Sequence, residues 1–173
     1  SVGPGKNRVR SFLRPETAQS TYLGFPRLWE YARKTLPFGV LQIGRSYRNE
    51  ISPRQGMIRL REFSQAEIQY FMDPREINSQ ELGEIGGIET TILDGREGSH
   101  EMSIRDASNS LMEYHAIALH LGVALRLFTR MGIPADKLRL RQHGVDERSF
   151  YSKDTWDVEC LSDSMGWIEL VGV

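Results

Sequence analysis

Two arginines, a glutamate and a phenylalanine stand close enough along the chain to serve one ligand. Arg48 and Glu50 are two residues apart in Tyr47-Arg48-Asn49-Glu50, and Arg59 and Phe63 follow a short loop in Arg59-Leu60-Arg61-Glu62-Phe63. On a strand, residues two apart share a face. A hairpin could therefore present guanidinium, carboxylate and aromatic ring from one rigid platform. That set suits displacement at a nucleotide's α-phosphorus, where charge building on the phosphoryl oxygens calls for fixed cations. Arginine meets such oxyanions through its planar fork, while adenine needs a flat apolar partner and a polar group at its amino edge. The same residues also read as a solvated antiparallel face with cross-strand Arg–Glu pairs. Spacing alone does not separate the two.

The elements that must hold these side chains can be read around them. Within residues 1–39 the sequence predicts a short extended stretch at 12–14 and a helix over 17–35, preceded by Glu16 and closed by Pro37. A long hairpin is predicted over about 40–73, with the turn formers Pro53 and Gly56 in its loop. Its return strand has a two-residue period. Arg59, Arg61, Phe63, Gln65, Glu67 and Gln69 make a polar face around one phenylalanine, and Ile58, Leu60, Glu62, Ser64, Ala66, Ile68 and Tyr70 make the other, mostly apolar. Residues 74–107, rich in glycine and acidic residues, are expected to form a surface insertion. In 108–173 an apolar stripe through Leu111, Tyr114, Ala118, Leu121, Leu125 and Phe128 predicts a helix. Ser110 and Glu113 would form its capping box, and Gly132 and Pro134 would end it. A second hairpin, 155–161 and 167–173, follows. These elements predict an α+β fold, an antiparallel β-sheet flanked by helices.

Composition narrows the classes. The 173 residues are 39% hydrophobic and 26% charged, with a net charge of -1, which fits one globular domain without a basic surplus. The single cysteine, Cys160, allows neither an internal disulfide nor a cysteine-based zinc site and is expected as a small core residue. His100, His115, His120 and His143 lack paired-ligand spacing, so no protein-ligated structural metal is expected. No run of 18 apolar residues is present, so no membrane partner and a cytoplasmic setting are expected. Trp156 and Trp167 read as core or hairpin-face residues.

The pattern aromatic-Arg-x-Glu, loop, Arg-x-x-x-Phe resembles motif 2 of the class II aminoacyl-tRNA synthetases. The wider string from Gln42 to Arg54 and Arg61-Glu62-Phe63-x-x-Ala66-Glu67-Ile68 is similar to the glycyl-tRNA synthetase form. Three further segments agree, in the same order along the chain: Leu13-Arg14-Pro15-Glu16-Thr17-Ala18-Gln19, Arg139-Leu140-Arg141-Gln142-His143, and Gly166-Trp167-Ile168-Glu169-Leu170-Val171-Gly172. The resemblance is closest to the single-polypeptide, homodimeric branch and weakest over about 74–105.

The resemblance implies a partial class II catalytic core, with residues 1–73 and 108–173 belonging to it. It implies a ligase that activates glycine with ATP and Mg²⁺ and passes it to tRNA(Gly). Arg48 would meet the α-phosphate and the glycine carboxylate, Glu50 the adenine amino group, and Phe63 the adenine ring. Arg59 would hold the triphosphate, Glu16 and Glu67 the glycine ammonium, and Glu169 the Mg²⁺ with ATP. Two other classes remain: a non-catalytic relative that binds nucleic acid, and a synthetase for another small amino acid. The complete adenylate set argues against the first, Glu16 and Glu67 against the second. Ser20 stands where the family has Gly, and Arg148, Ser149 and Phe150 stand where it has Met-Ala-His. The family's motif 1 would precede Ser1, while motif 3 and the anticodon-binding domain would follow Val173. Residues 1–173 by themselves are thus expected to lack the cation on the far side of the triphosphate.

Overall fold

The computed structural model describes residues 10–53, 56, 58–73, 75–77, 79–96 and 98–173. These fall into two compact units, the first ending at Asp73.

The first unit is a helix on a hairpin. Helix α1 spans Ala18–Tyr31, strand β1 Phe38–Tyr47 and strand β2 Glu62–Phe71. The strands pair antiparallel, with Gln42 opposite Glu67, Gly44 opposite Gln65 and Ser46 opposite Phe63. The covered face of the hairpin is graded along its length. At one end Phe25 of α1 packs on Phe38 and Phe71, with ring centroids 6.1 and 4.9 Å away, and Trp29 stacks on Phe25 at 6.0 Å. Aromatic burial there supplies the apolar area that holds the helix down. Toward the loop the same face turns polar, and the N-terminal half of α1 meets it through Thr21 Oγ1, which donates to Gln42 Oε1 at 3.1 Å. The hydrophobic alternation therefore runs opposite to the usual pattern. Leu41, Ile43 and Ile68 are 60, 70 and 68% exposed, while Gln42, Gln65 and Glu67 lie on the covered side.

The second unit is a five-stranded sheet in the order β4-β3-β5-β6-β7. Its strands are β3 (Glu89–Leu93), β4 (Ser99–Ser103), β5 (Leu138–Gln142), β6 (Trp156–Ser162) and β7 (Gly166–Gly172). One face is the core. Ile92, Leu140, Trp156 and Val158 are fully buried against helix α2 (Ile104–Ser110), helix α3 (His115–Arg130) and the 3-10 segment Ser79–Gly87. The other face is charged, because Leu-Arg-Leu-Arg on β5 and Trp-Asp-Val-Glu on β6 alternate with period two.

Five expectations change. Residues 74–107 are not a surface insertion: they supply β3, β4, most of α2 and the core residues Leu82, Ile92, Ile104 and Ala107. Their small apolar count hides how completely each one is buried. The Ser110/Glu113 capping box does not form. Ser110 Oγ donates to Asp106 O, α3 starts five residues after Ser110, and the side-chain cap belongs to α2, where Ser103 Oγ accepts from Asp106 N at 3.1 Å. Helix α1 ends at Tyr31 rather than 35, where Arg33 and Lys34 take positive φ. Strand β2 starts at Glu62, so Arg59 precedes it. Finally, β3 and β5 pair in parallel within the otherwise antiparallel sheet.

At the β3–β4 turn Asp94 accepts from the Arg96 and Gly98 amides at 2.8 and 2.9 Å and bonds His100 Nε2 at 2.8 Å. The His100 contact, then the two amides, hold its carboxyl down from 3.8 to about 2. A depressed folded pKa stabilises at pH above 3.8, and that contribution drains as pH falls through 2. Urea unfolding of Asp94→Asn should therefore show lower stability than the parent at neutral pH and a flatter stability profile between those two values. In the core, Leu140→Ala should cost about 2–5 kcal/mol by urea unfolding. Leu127→Ala, at a position 53% exposed, should stay within about 0.5 kcal/mol; equal effects would contradict the assigned core.

Candidate functional site

The first unit gathers its chemistry at the loop end of the hairpin. Arg48 continues β1 by one ladder bond, its amide donating to Arg61 O at 3.1 Å. Strand alternation puts its side chain on the covered face, with the guanidinium carbon 5.3 Å from the centroid of Phe63. Arg48 Nε donates to Pro15 O at 3.2 Å, which leaves its terminal nitrogens for an anion. Glu50 and Arg59 face each other, Oε2 to Nε 3.7 Å, and Arg61 Nε donates to Glu50 O at 3.0 Å. Arg48, Glu50 and Arg59 border an open cavity of about 340 Å³ with Asn49, Ile51 and Ser52, within the roughly 300–1,000 Å³ range of small-molecule sites.

Glu67 lies deeper on the same face. Its Oε2 accepts from the Thr17 amide at 2.8 Å and from the Thr17 hydroxyl. The carboxylate thereby caps the start of α1, where no side chain of the helix's own serves as cap. Glu16 is the neighbour of that anchor, and its Oε1 accepts from Gln19 Nε2 at 2.5 Å. The structure thus brings Arg48, Phe63 and Glu67 to one face, with Glu50 and Arg59 beside it as an ion pair, while the Glu16 carboxylate is held by Gln19 of α1.

Several polar groups on this face were missed from the sequence. Ser46 is fully buried, and its Oγ has no hydrogen-bond partner; the same holds for buried Gln65 Oε1 and Gln69 Oε1. Each unmade bond costs about 1–3 kcal/mol. Gln65 lies between Phe63 and Glu67 along β2, so a ligand reaching from the ring to the carboxylate passes over it. A continuous run of glutamines and a glutamate on the face opposite Leu41 and Ile68 is the signal that could have found them.

Glu169 belongs to the second unit. It is exposed on β7 and sits across the ladder from Glu159. Their face carries an ion-pair ladder: Arg139 Nε donates to Glu159 Oε2 at 2.6 Å while lying 3.8 Å over the Trp167 ring, and Asp157 meets His143 Nε2 at 2.6 Å and Arg141 Nη1 at 3.5 Å. Among the described residues no cluster of three or more His, Cys, Asp or Glu could hold a metal by itself. Glu159 is already held by Arg139, which leaves the fit to the Glu169 carboxylate; Mg²⁺ takes one or two carboxylates and completes its shell with phosphate and water. Arg148, at a departure from the family pattern, staples its own loop by donating to His143 O at 3.1 Å and Lys153 O at 2.5 Å. Ser20 is exposed in the first turn of α1. No helix is long and apolar enough to cross a membrane among the described residues.

Comparison with known proteins identifies a family. The family described as tRNA synthetase class II core domain (G, H, P, S and T) matches residues 5–166. A glycine–tRNA ligase of Methanothrix thermoacetophila is 44% identical over 179 residues, covering 100% of this chain and 31% of that protein. Glycine–tRNA ligases of Methanococcus maripaludis and Archaeoglobus fulgidus are 43 and 44% identical, again across 100% of this chain and 32 and 30% of their own lengths. The chain thus spans about a third of the length of the curated relatives it matches.

Proposed function

The chain belongs to the class II tRNA synthetase core-domain family, and we propose that it carries the activating site of a glycine–tRNA ligase. The observation that supports this most is the convergence of Arg48, Phe63 and Glu67 on one hairpin face, with Glu16 adjacent in sequence to the Thr17 that Glu67 holds. In this reading ATP lays its adenine on Phe63, with Glu50 accepting from the amino group. The purine displaces the Arg48 guanidinium from the ring, and the guanidinium moves to the α-phosphate, still tethered through Nε. Arg59 leaves Glu50 for the triphosphate; the exchange is cheap, because an exposed pair 3.7 Å apart contributes little. Glycine places its ammonium between Glu16 and Glu67 and its carboxylate against Arg48, in line with the α-phosphorus. The carboxylate oxygen bonds to phosphorus as the bond to pyrophosphate breaks, and Arg48 stabilises the charge on the phosphoryl oxygens.

Glu169, supported by the resemblance of its segment, would hold Mg²⁺, whose chemistry is neutralisation of phosphate charge. Transfer to tRNA(Gly), supported by the relatives' identity as glycine–tRNA ligases, is part of the same proposal, and so are a homodimeric assembly and a cytoplasmic setting, which rest on the reading of the sequence. Glycine is the smallest amino acid, so discrimination reduces to excluding a β-carbon, which a filled pocket does by clash.

Glycine-dependent ATP–pyrophosphate exchange, measured on the protein as its gene encodes it, tests the reading. Arg48→Ala should lower the rate at least ~10²-fold; a change of only a few-fold would sink the assignment. Glu67→Gln should raise the KM for glycine far more than the KM for ATP. Because Glu67 also anchors Thr17, Thr17→Val is the control: it should disturb the glycine KM less, since the carboxylate remains.

A further inference from the structure

Residues 14–17 form a strap laid across the end of β1. Every proposed contact to glycine and to the α-phosphate touches it. Pro15 O holds Arg48 Nε, Glu16 is part of it, and Thr17 holds Glu67. What fastens the strap to the strand is Arg14, used at both ends of the residue. Its carbonyl accepts from the Tyr47 amide at 2.9 Å, and its side chain turns back so that Nε donates to Arg45 O at 2.8 Å. The tip of the guanidinium then comes up against Gly44. A Cβ added at Gly44 would stand 2.2 Å from Arg14 Nη2 and 3.3 Å from its Cζ, and 3.5 Å from Thr17 Cγ2. The glycine is there for the approach of a side chain and not for its own backbone, since Gly44 is an ordinary strand residue paired with Gln65.

We propose that Arg14 is a positioning residue, clamped over Gly44 to hold the strap, so that Glu16, Glu67 and Arg48 stand in register for glycine. The inference rests on the reading of this face as a glycine-activating site. Its consequence is that Gly44 and Arg14 act as one device. A methyl at Gly44 meets only the far end of a flexible side chain, so the hairpin accommodates it, but Arg14 has to leave.

Two measurements on the protein as its gene encodes it decide the matter for Gly44→Ala, Arg14→Ala, Arg14→Lys and the double alanine variant. The first is amide hydrogen exchange. Both alanine variants should lose protection at Tyr47 and Thr17 while Val40 and Gln42, whose amides point into the β1–β2 ladder as that of Arg48 does, keep theirs. The second is pyrophosphate exchange. The glycine KM should rise about tenfold, the scale for losing a hydrogen bond from a charged donor, with the ATP KM within about twofold. Arg14→Lys, which keeps a charged donor, should recover part of that loss. The double variant should be no worse than the worse single one, as expected for two parts of one contact. Unchanged protection at Tyr47 and Thr17 would overturn the clamp, and so would additive effects. Lost protection with unaltered glycine kinetics in an active protein would overturn its part in positioning. Absence of glycine-dependent exchange in the unsubstituted protein would instead overturn the functional reading, and amide protection would still decide whether Arg14 holds the strap.

Discussion

A carboxylate on the covered face of a hairpin has to find donors, and Glu67 finds them in the amide and hydroxyl of Thr17. Much of the first unit follows from that contact. It fixes where α1 begins and draws residues 14–17 across β1. It also keeps a polar patch under a helix that could have covered an apolar one. The aromatic end, Phe25 with Phe38, Phe71 and Trp29, supplies the burial that makes this affordable. The orphaned acceptors of Ser46, Gln65 and Gln69 are the cost. A face built for stability alone would carry Leu41, Ile43 and Ile68 inward. This one carries them outward and covers polar groups instead, which in the proposed reading are the partners of a ligand.

That inversion explains what could and could not be read from the amino acids. The period of β2 is plain, and Phe63 and Glu67 were placed correctly on one face because alternation is geometric. Which face is inside is not geometric. It depends on α1, and the usual rule, apolar side in, points the wrong way here. Arg59 fell outside the strand for a related reason: its spacing from Phe63 fits a strand, but pairing stops at Tyr47 opposite Glu62, before the alternation does. The core role of residues 79–110 was hidden because a few fully buried side chains, Leu82, Ile92, Ile104 and Ala107, anchor a stretch that is otherwise polar. The capping signal was sought at Ser110, while Ser103-x-x-Asp106 carried it seven residues earlier.

The second unit solves the same problem differently. Its charged sheet face satisfies itself: Arg139 with Glu159, and Arg141 and His143 with Asp157. Partially buried pairs of this kind contribute through fixed geometry more than through net stability. They leave Glu169 at the edge of the ladder, on β7, as a carboxylate backed by rigid neighbours. Arg148 puts its hydrogen bonds on the backbone of its own loop and lies 3.6 Å from the Asp154 carboxylate.

The central claim is that the polar hairpin face exists to hold a glycyl-adenylate. A crystal structure with glycyl-sulfamoyl-adenosine, a stable analogue of that intermediate, tests it most directly. The account predicts the adenine on Phe63, the sulfamoyl group against Arg48, the ammonium between Glu16 and Glu67, and a ligand contact for Gln65 Oε1. An analogue bound away from this face, or one that leaves Arg48 stacked on Phe63 and Gln65 without a partner, would contradict it.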